Sequence, residues 1–143
     1  MEPTRILIVA NQTAAGTALQ NEVRRRHEGG PCSFTLVVPA THPTEHLTWT
    51  EGEAIEIAER HLAAALEKLR ETGADVEGRA GDANPLEAVN DALIGEKYDE
   101  IILSTLHAGA SRWLNQDLPH RMERRFELPL TTVIAEKEPA TSG

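Results

Sequence analysis

Aromatic residues are scarce, with two Trp, one Tyr and two Phe making 3% of 143 residues. That removes the stacking platforms on which a single-strand binder seats its bases. Positive charge is short too: a net charge of −9 gives nucleic acid no electrostatic footprint. The one cysteine, Cys32, cannot form an internal disulfide and suits a reducing, cytoplasmic setting. It reads as a buried strand residue rather than a nucleophile. No apolar run approaches the ~18 residues of a membrane span, and the polar opening MEPTR predicts no secretory leader. Neither GxxxxGK[ST] nor GxGxxG occurs, so the common phosphate fingerprints are missing.

What is present is globular in character, at 40% hydrophobic and 26% charged residues. The length predicts a single domain over 1–143, with the tail 136–143 (EKEPATSG) disordered. Along the chain, strand and helix patterns alternate. The runs 5–10 (RILIVA), 34–38 (FTLVV) and 99–105 are solidly apolar, as strands buried on both faces must be. The runs 75–80 (DVEGRA) and 128–135 (LPLTTVIA) carry charge, glycine or proline, which are edge features. Between them, Thr13 is read as the N-cap of a helix that buries Leu19 and Val23 and stops at Gly29-Gly30. Arg24-Arg25-Arg26 near its end reads as a solvated face complementing the helix dipole. Thr50 and Glu53 form a capping box for the longest helix, whose stripe is Ile55, Ala58, Leu62, Ala65, Leu66 and Leu69. Asn84-Pro85 opens a third helix with Leu86, Val89 and Leu93 facing in. A fourth runs through Met122 and Phe126.

This βαβαβαβαβ pattern predicts an α/β fold, an open five-stranded parallel sheet with helices on both faces. Right-handed crossovers and the central or edge character of each strand give the order 3-2-1-4-5. Its switch point falls between the first and fourth strands, where open sheets bind ligands. Segment 99–117 (DEIILSTLHAGASRWLNQD) carries a buried strand into a small-residue loop and a helix, which lets backbone approach a ligand.

Three stretches resemble the universal stress proteins: ILIVANQT at the first strand, GDANPLEAV before the third helix, and the final LPLTTVIA. The likeness spans residues 4–135. It implies an adenine nucleotide alpha hydrolase-like fold, frequent homodimers pairing through the last strand, and ATP binding in one branch. That branch has an Asp after the first strand, a loop G-x-x-G and a later G-[ST]. Here Asn11 stands for the Asp, Ser104 and His107 for the first two glycines, and Gln116-Asp117 for the closing pair. Gly109 is the one glycine left in that loop. Side chains at His107 and Gln116 obstruct backbone approach to phosphates. Asp117, with Pro119 in the first turn, is expected to cap its own helix and repel a second anion.

The candidate ligand-binding set is therefore Val9, Ala10, Asn11, Pro39, Ser104, His107, Gly109, Ser111, Arg112, Gln116 and Asp117. The ligand expected there is a small molecule, with ATP or another adenine nucleotide the implied class. The function implied is a non-catalytic, ligand-binding stress-response protein with a degenerate nucleotide loop. The alternative is a dimeric interaction module that binds no nucleotide. A hydrolase or transferase of this fold finds no complete motif: there is no SGG-type loop, and Asn11-Gln12-Thr13 replaces HxGH. Ser104, His107 and Asp117 are triad residue types without evidence of triad geometry. His42-Pro43-Thr44-Glu45-His46 matches H-x-x-E-H, but Pro43 pushes His42 out of a helix, so a surface loop is expected rather than a metal site. Trp49 and Trp113 could rim the crevice, although Trp113 reads better as core under its own helix.

Overall fold

A computed structural model describes residues 3–10, 16–40, 51–105 and 112–135. In chain order the elements are β1 (Thr4–Val9), α1 (Thr17–Gly29), β2 (Cys32–Pro39), α2 (Glu51–Arg70), β3 (Asp75–Gly81), α3 (Pro85–Leu93), β4 (Glu100–Thr105), α4 (Arg112–Asn115), α5 (Leu118–Phe126) and β5 (Leu130–Ile134). The strands form one five-stranded sheet in the order β3-β2-β1-β4-β5, every neighbouring pair parallel. Order and edge assignment follow the hydrophobic character read above. Ile6, Leu7, Ile8 and Val9 at the centre have no exposed surface.

Helices cover both faces. Leu19 and Val23 of α1, with Ala58, Leu62 and Leu69 of α2, pack on the face that carries Ile6, Ile8 and Ile102. Leu86 and Val89 of α3, with Leu118 and Met122 of α5, pack on the face of Leu7, Val9 and Leu103. The start of α3 is as expected: Leu86 N–H donates to Asn84 Oδ1 at 2.9 Å, and Pro85 occupies the first turn.

Three local readings are corrected. The first helix begins at Thr17 with Gly16 at its N-cap position; Thr13 lies outside the described residues, as does Thr50 of the expected capping box. Ile55 leaves the core stripe and is 39% exposed, because Ala54 takes the inward position one residue earlier. After β4 the short helix α4 precedes α5, which starts as expected, with Asp117 at the N-cap position and Pro119 in the first turn. Pro119 has no N–H for the carbonyl four residues back, so a continuous helix would lose a bond there. Finally, Arg26 is no solvated helix end. It pairs with Glu22 of its own helix and with Glu100 of β4.

Close backbone approach explains Gly78. A β-carbon there would stand 2.6 Å from Leu62 Cδ1 and 2.9 Å from the Leu36 carbonyl oxygen. The leucine tip can turn away; the backbone oxygen of the neighbouring strand cannot. Gly78→Ala is therefore expected to cost about 1–3 kcal/mol through overpacking. That outweighs the ~0.4–1 kcal/mol gained from a stiffer unfolded chain. The check is a lower urea midpoint at unchanged slope; an equal or higher midpoint would mean that α2 moves aside freely.

Candidate functional site

Parallel pairing aligns Val9 with Leu103, so the carboxyl ends of β1 and β4 finish side by side at the centre of the sheet. Val9 and Ala10 are fully buried there, and Ser104 and Thr105 follow as the buried polar residues of the described chain. Ala10 N–H donates to the Val37 carbonyl at 3.2 Å, tying the exit of β1 to β2. One strand further, Pro39 is buried at the end of β2, and Ala40 N–H donates to the Gly81 carbonyl at 3.0 Å. Val9, Ala10, Pro39 and Ser104 thus lie together at the carboxyl end of the sheet, where the switch-point argument places a ligand.

Asn11, His107, Gly109 and Ser111 of the candidate set lie outside the described residues, as do Trp49 and the HPTEH segment. Arg112 opens α4. Gln116 and Asp117 form the exposed turn between α4 and α5, held by Gln116 N–H to the Trp113 carbonyl and Asp117 N–H to the Leu114 carbonyl.

Asp117 behaves differently from its expected role. Its backbone is left-handed, at φ 55°, and its carboxylate caps no backbone N–H. Oδ1 instead meets His120 Nδ1 at 2.8 Å, one turn into α5, with the Asp117 side chain 60% exposed. A left-handed residue turns its side chain away from the direction that a capping residue in extended conformation would give it. The negative charge still sits by the first turn of α5, beside an imidazole rather than on the backbone amides. Of the triad residue types, Asp117 is exposed and Ser104 buried, and His107 lies outside the described residues. Trp113 is half-buried against the α3–α5 side of the core, the bland reading of the two.

A half-open groove of about 540 Å³ lies at the carboxyl ends of β2 and β3, lined by Ala40, Ile55, Arg79, Gly81, Asp82 and Asp91 among others. Sequence reasoning missed it. The signal was in GDANPLEAV: a β-carbon on Gly81 would come within 2.9 Å of Val37 Cγ1 and 3.0 Å of Ala88 Cβ, so glycine lets α3 close onto the strand ends. Ile55, displaced from the core, becomes part of the groove lining. Among the described residues, no group of three or more His, Cys, Asp or Glu side chains could hold a metal ion. None of the described helices is long and apolar enough to cross a membrane. Burial pushes the Cys32 thiol up, which suits a structural cysteine and not a thiolate nucleophile.

No protein-family model matches the chain, and no curated protein matches it by sequence. Solved structures do match. Among them is a universal stress protein crystallised in complex with cAMP, which superposes with a TM-score of 0.61 over 94% of this chain and 100% of its own, at 14% identity. The strand order, the helices on both faces and this superposition agree: the chain has the fold of a universal stress protein.

Proposed function

We propose that this chain is a non-catalytic, universal stress protein-like binder of a small ligand, acting in the cytoplasm in a stress response. The observation that carries the reading is the convergence of Val9, Ala10 and buried Ser104 at the switch point of this fold. Adenine nucleotides are the ligand class to test first, since a protein of the same fold was crystallised with cAMP. The residue types in the loop disfavour a triphosphate. Non-glycine residues stand at the motif positions, and Asp117 places a carboxylate by the first turn of α5.

Thermal unfolding with cAMP, AMP and ATP tests this. A ligand at ten times its Kd stabilises by about 1.4 kcal/mol, a shift of several degrees for a chain of this size. AMP or cAMP is expected to raise Tm, and ATP to raise it less at equal concentration. Asp117→Ser should improve ATP binding by at most about 1 kcal/mol, because the carboxylate is largely exposed and solvent screens it. If no adenine nucleotide moves Tm at millimolar concentration, the nucleotide reading fails.

The second reading, a homodimer through the last strand, is favoured by the outer edge of β5, which pairs with no further strand among the described residues. Ile101 N–H donates to the Pro129 carbonyl and Ala135 N–H to the Thr105 carbonyl. The backbones of 129, 131, 133 and 135 therefore face β4, because successive residues of a strand point their polar groups to opposite sides. Leu130, Thr132 and Ile134 present theirs to the outer edge, away from β4. None of the three is charged, and Ile134 is 47% exposed. The opposite edge, β3, is flanked by exposed Asp75, Glu77 and Arg79, charges of the kind that guard an edge. Pairing through β5 joins one strand to its own copy about a two-fold axis.

A further inference from the structure

Toward the end of the sheet opposite the candidate ligand site, the side chains of Arg26, Glu100 and Thr131 close a ring, to which Glu22 adds a further partner for Arg26. Arg26, in the last turn of α1, donates from Nε to Glu22 Oε2 at 2.7 Å, pairs through one Nη with Glu100 of β4, and donates from the other to Thr131 Oγ1 of β5 at 3.1 Å. The Thr131 hydroxyl in turn donates to Glu100 Oε2 at 2.9 Å. Arg25 reinforces Glu22 at 2.7 Å. The guanidinium fork thus joins three elements, and Thr131 is its contact on the edge strand.

Thr131 is held twice. Its backbone faces β4, and its side chain lies on the α1 face of the sheet, as does half-buried Val133. This arrangement selects one register. A slip of one residue would turn every side chain of β5 to the wrong face. A slip of two would put Pro129 or Val133 in the place of Thr131, opposite Ile102, and leave the second guanidinium N–H and the second carboxylate oxygen without their hydroxyl. The strand is five residues long and needs such a determinant.

We infer that Arg26 is a positioning residue for the partner-binding edge: through Glu100 and Thr131 it sets where β5 stands, and so which backbone groups a second copy of this chain meets. The inference rests on the reading of β5 as the dimer strand. Lysine cannot replace this arginine, because an ammonium lacks the planar fork that reaches Glu22, Glu100 and Thr131 at once.

Hydrogen exchange by NMR, with light scattering on the same samples, tests it on the full chain. In Arg26→Gln, the inward amides of Thr131 and Val133 are expected to lose about ten-fold or more protection relative to those of Ile6 to Val9. The dimer should weaken by a similar factor. Arg26→Lys should recover overall stability but not the protection of β5. Thr131→Val, which removes only the hydroxyl, is the milder variant should Arg26→Gln not fold, and it should loosen β5 in the same way. Unchanged β5 protection relative to β1 in these variants overturns the inference. So does an equal loss throughout the sheet, which would make Arg26 a general stabiliser. If the wild-type chain is a monomer at millimolar concentration, the dimer reading fails, and with it the claim on a partner; the exchange ratio then decides the register claim alone.

Discussion

Thr132→Pro is expected to give a folded chain that no longer pairs. Proline removes one backbone N–H and places its ring where that N–H was. In β5 the N–H of Thr132 faces the outer edge, away from β4, since the neighbouring odd-numbered residues bond β4. The β4–β5 ladder therefore keeps all its bonds, and proline is tolerated at such a solvent-facing edge position. Thr131, the residue before it, is already extended, the conformation a following proline imposes. Across a two-fold edge contact the same substitution occurs on both copies, so ladder bonds are lost in pairs and two rings meet. Light scattering should read a monomer at micromolar concentration with near-native circular dichroism. In the wild type, the outward amides of Thr132 and Ile134 should exchange slowly in the dimer and fast on dilution. A proline variant that stays dimeric would place the contact elsewhere. Val133 is a poorer site for this test: its side chain packs against the α1 side of the core, so a charge there would disturb folding as well.

Glu100→Gln is expected to cost about 2 kcal/mol at neutral pH, the loss of charge-assisted hydrogen bonds in a largely buried site. The Glu100 side chain is 16% exposed. Hydrogen bonding from Arg26 holds its carboxyl below the usual range, against burial, which pushes it up, with Thr131 adding a second lowering bond. A carboxyl whose folded value is depressed contributes stability above its unfolded value and loses it as pH falls through the folded value. The gap between wild type and Glu100→Gln should therefore be full at pH 7. It should begin to shrink below about pH 4.3, the ordinary glutamate value, and close below the lowered one. Glu22 follows the same sign: burial raises its carboxyl, but hydrogen bonds from Arg25 and Arg26 outweigh it. Because Glu22 survives the substitution, some acid sensitivity remains in the variant. Urea unfolding across pH 3–8 checks this, and a gap of equal size at both ends would assign the effect to packing rather than charge.

The sheet was legible from one-dimensional pattern because burial on both faces demands an unbroken apolar run. Residues 5–10, 34–38 and 99–105 have such runs and lie in the middle; the mixed run 75–80 and the proline-bearing 128–135 lie at the edges. Asn84-Pro85 was legible for a similar reason, as a cap is a contact within one turn. The switch point followed from strand order, and with it the place of Val9, Ala10, Pro39 and Ser104.

Tertiary structure decided whatever depends on residues far apart in the chain. Ile55 and Ala54 both fit beside the apolar stripe of α2, and the position of the sheet under the helix chose Ala54. Asp117 and Pro119 carry the local signs of a helix start, yet a left-handed turn sends the carboxylate to His120. Arg26 looks like any arginine at a helix end; its partners Glu100 and Thr131 lie 74 and 105 residues away. Backbone periodicity is a local property that the sequence by itself determines for each strand and helix. Where a charged side chain finds its opposite depends on which elements the completed sheet brings together, and here only the folded structure decided that.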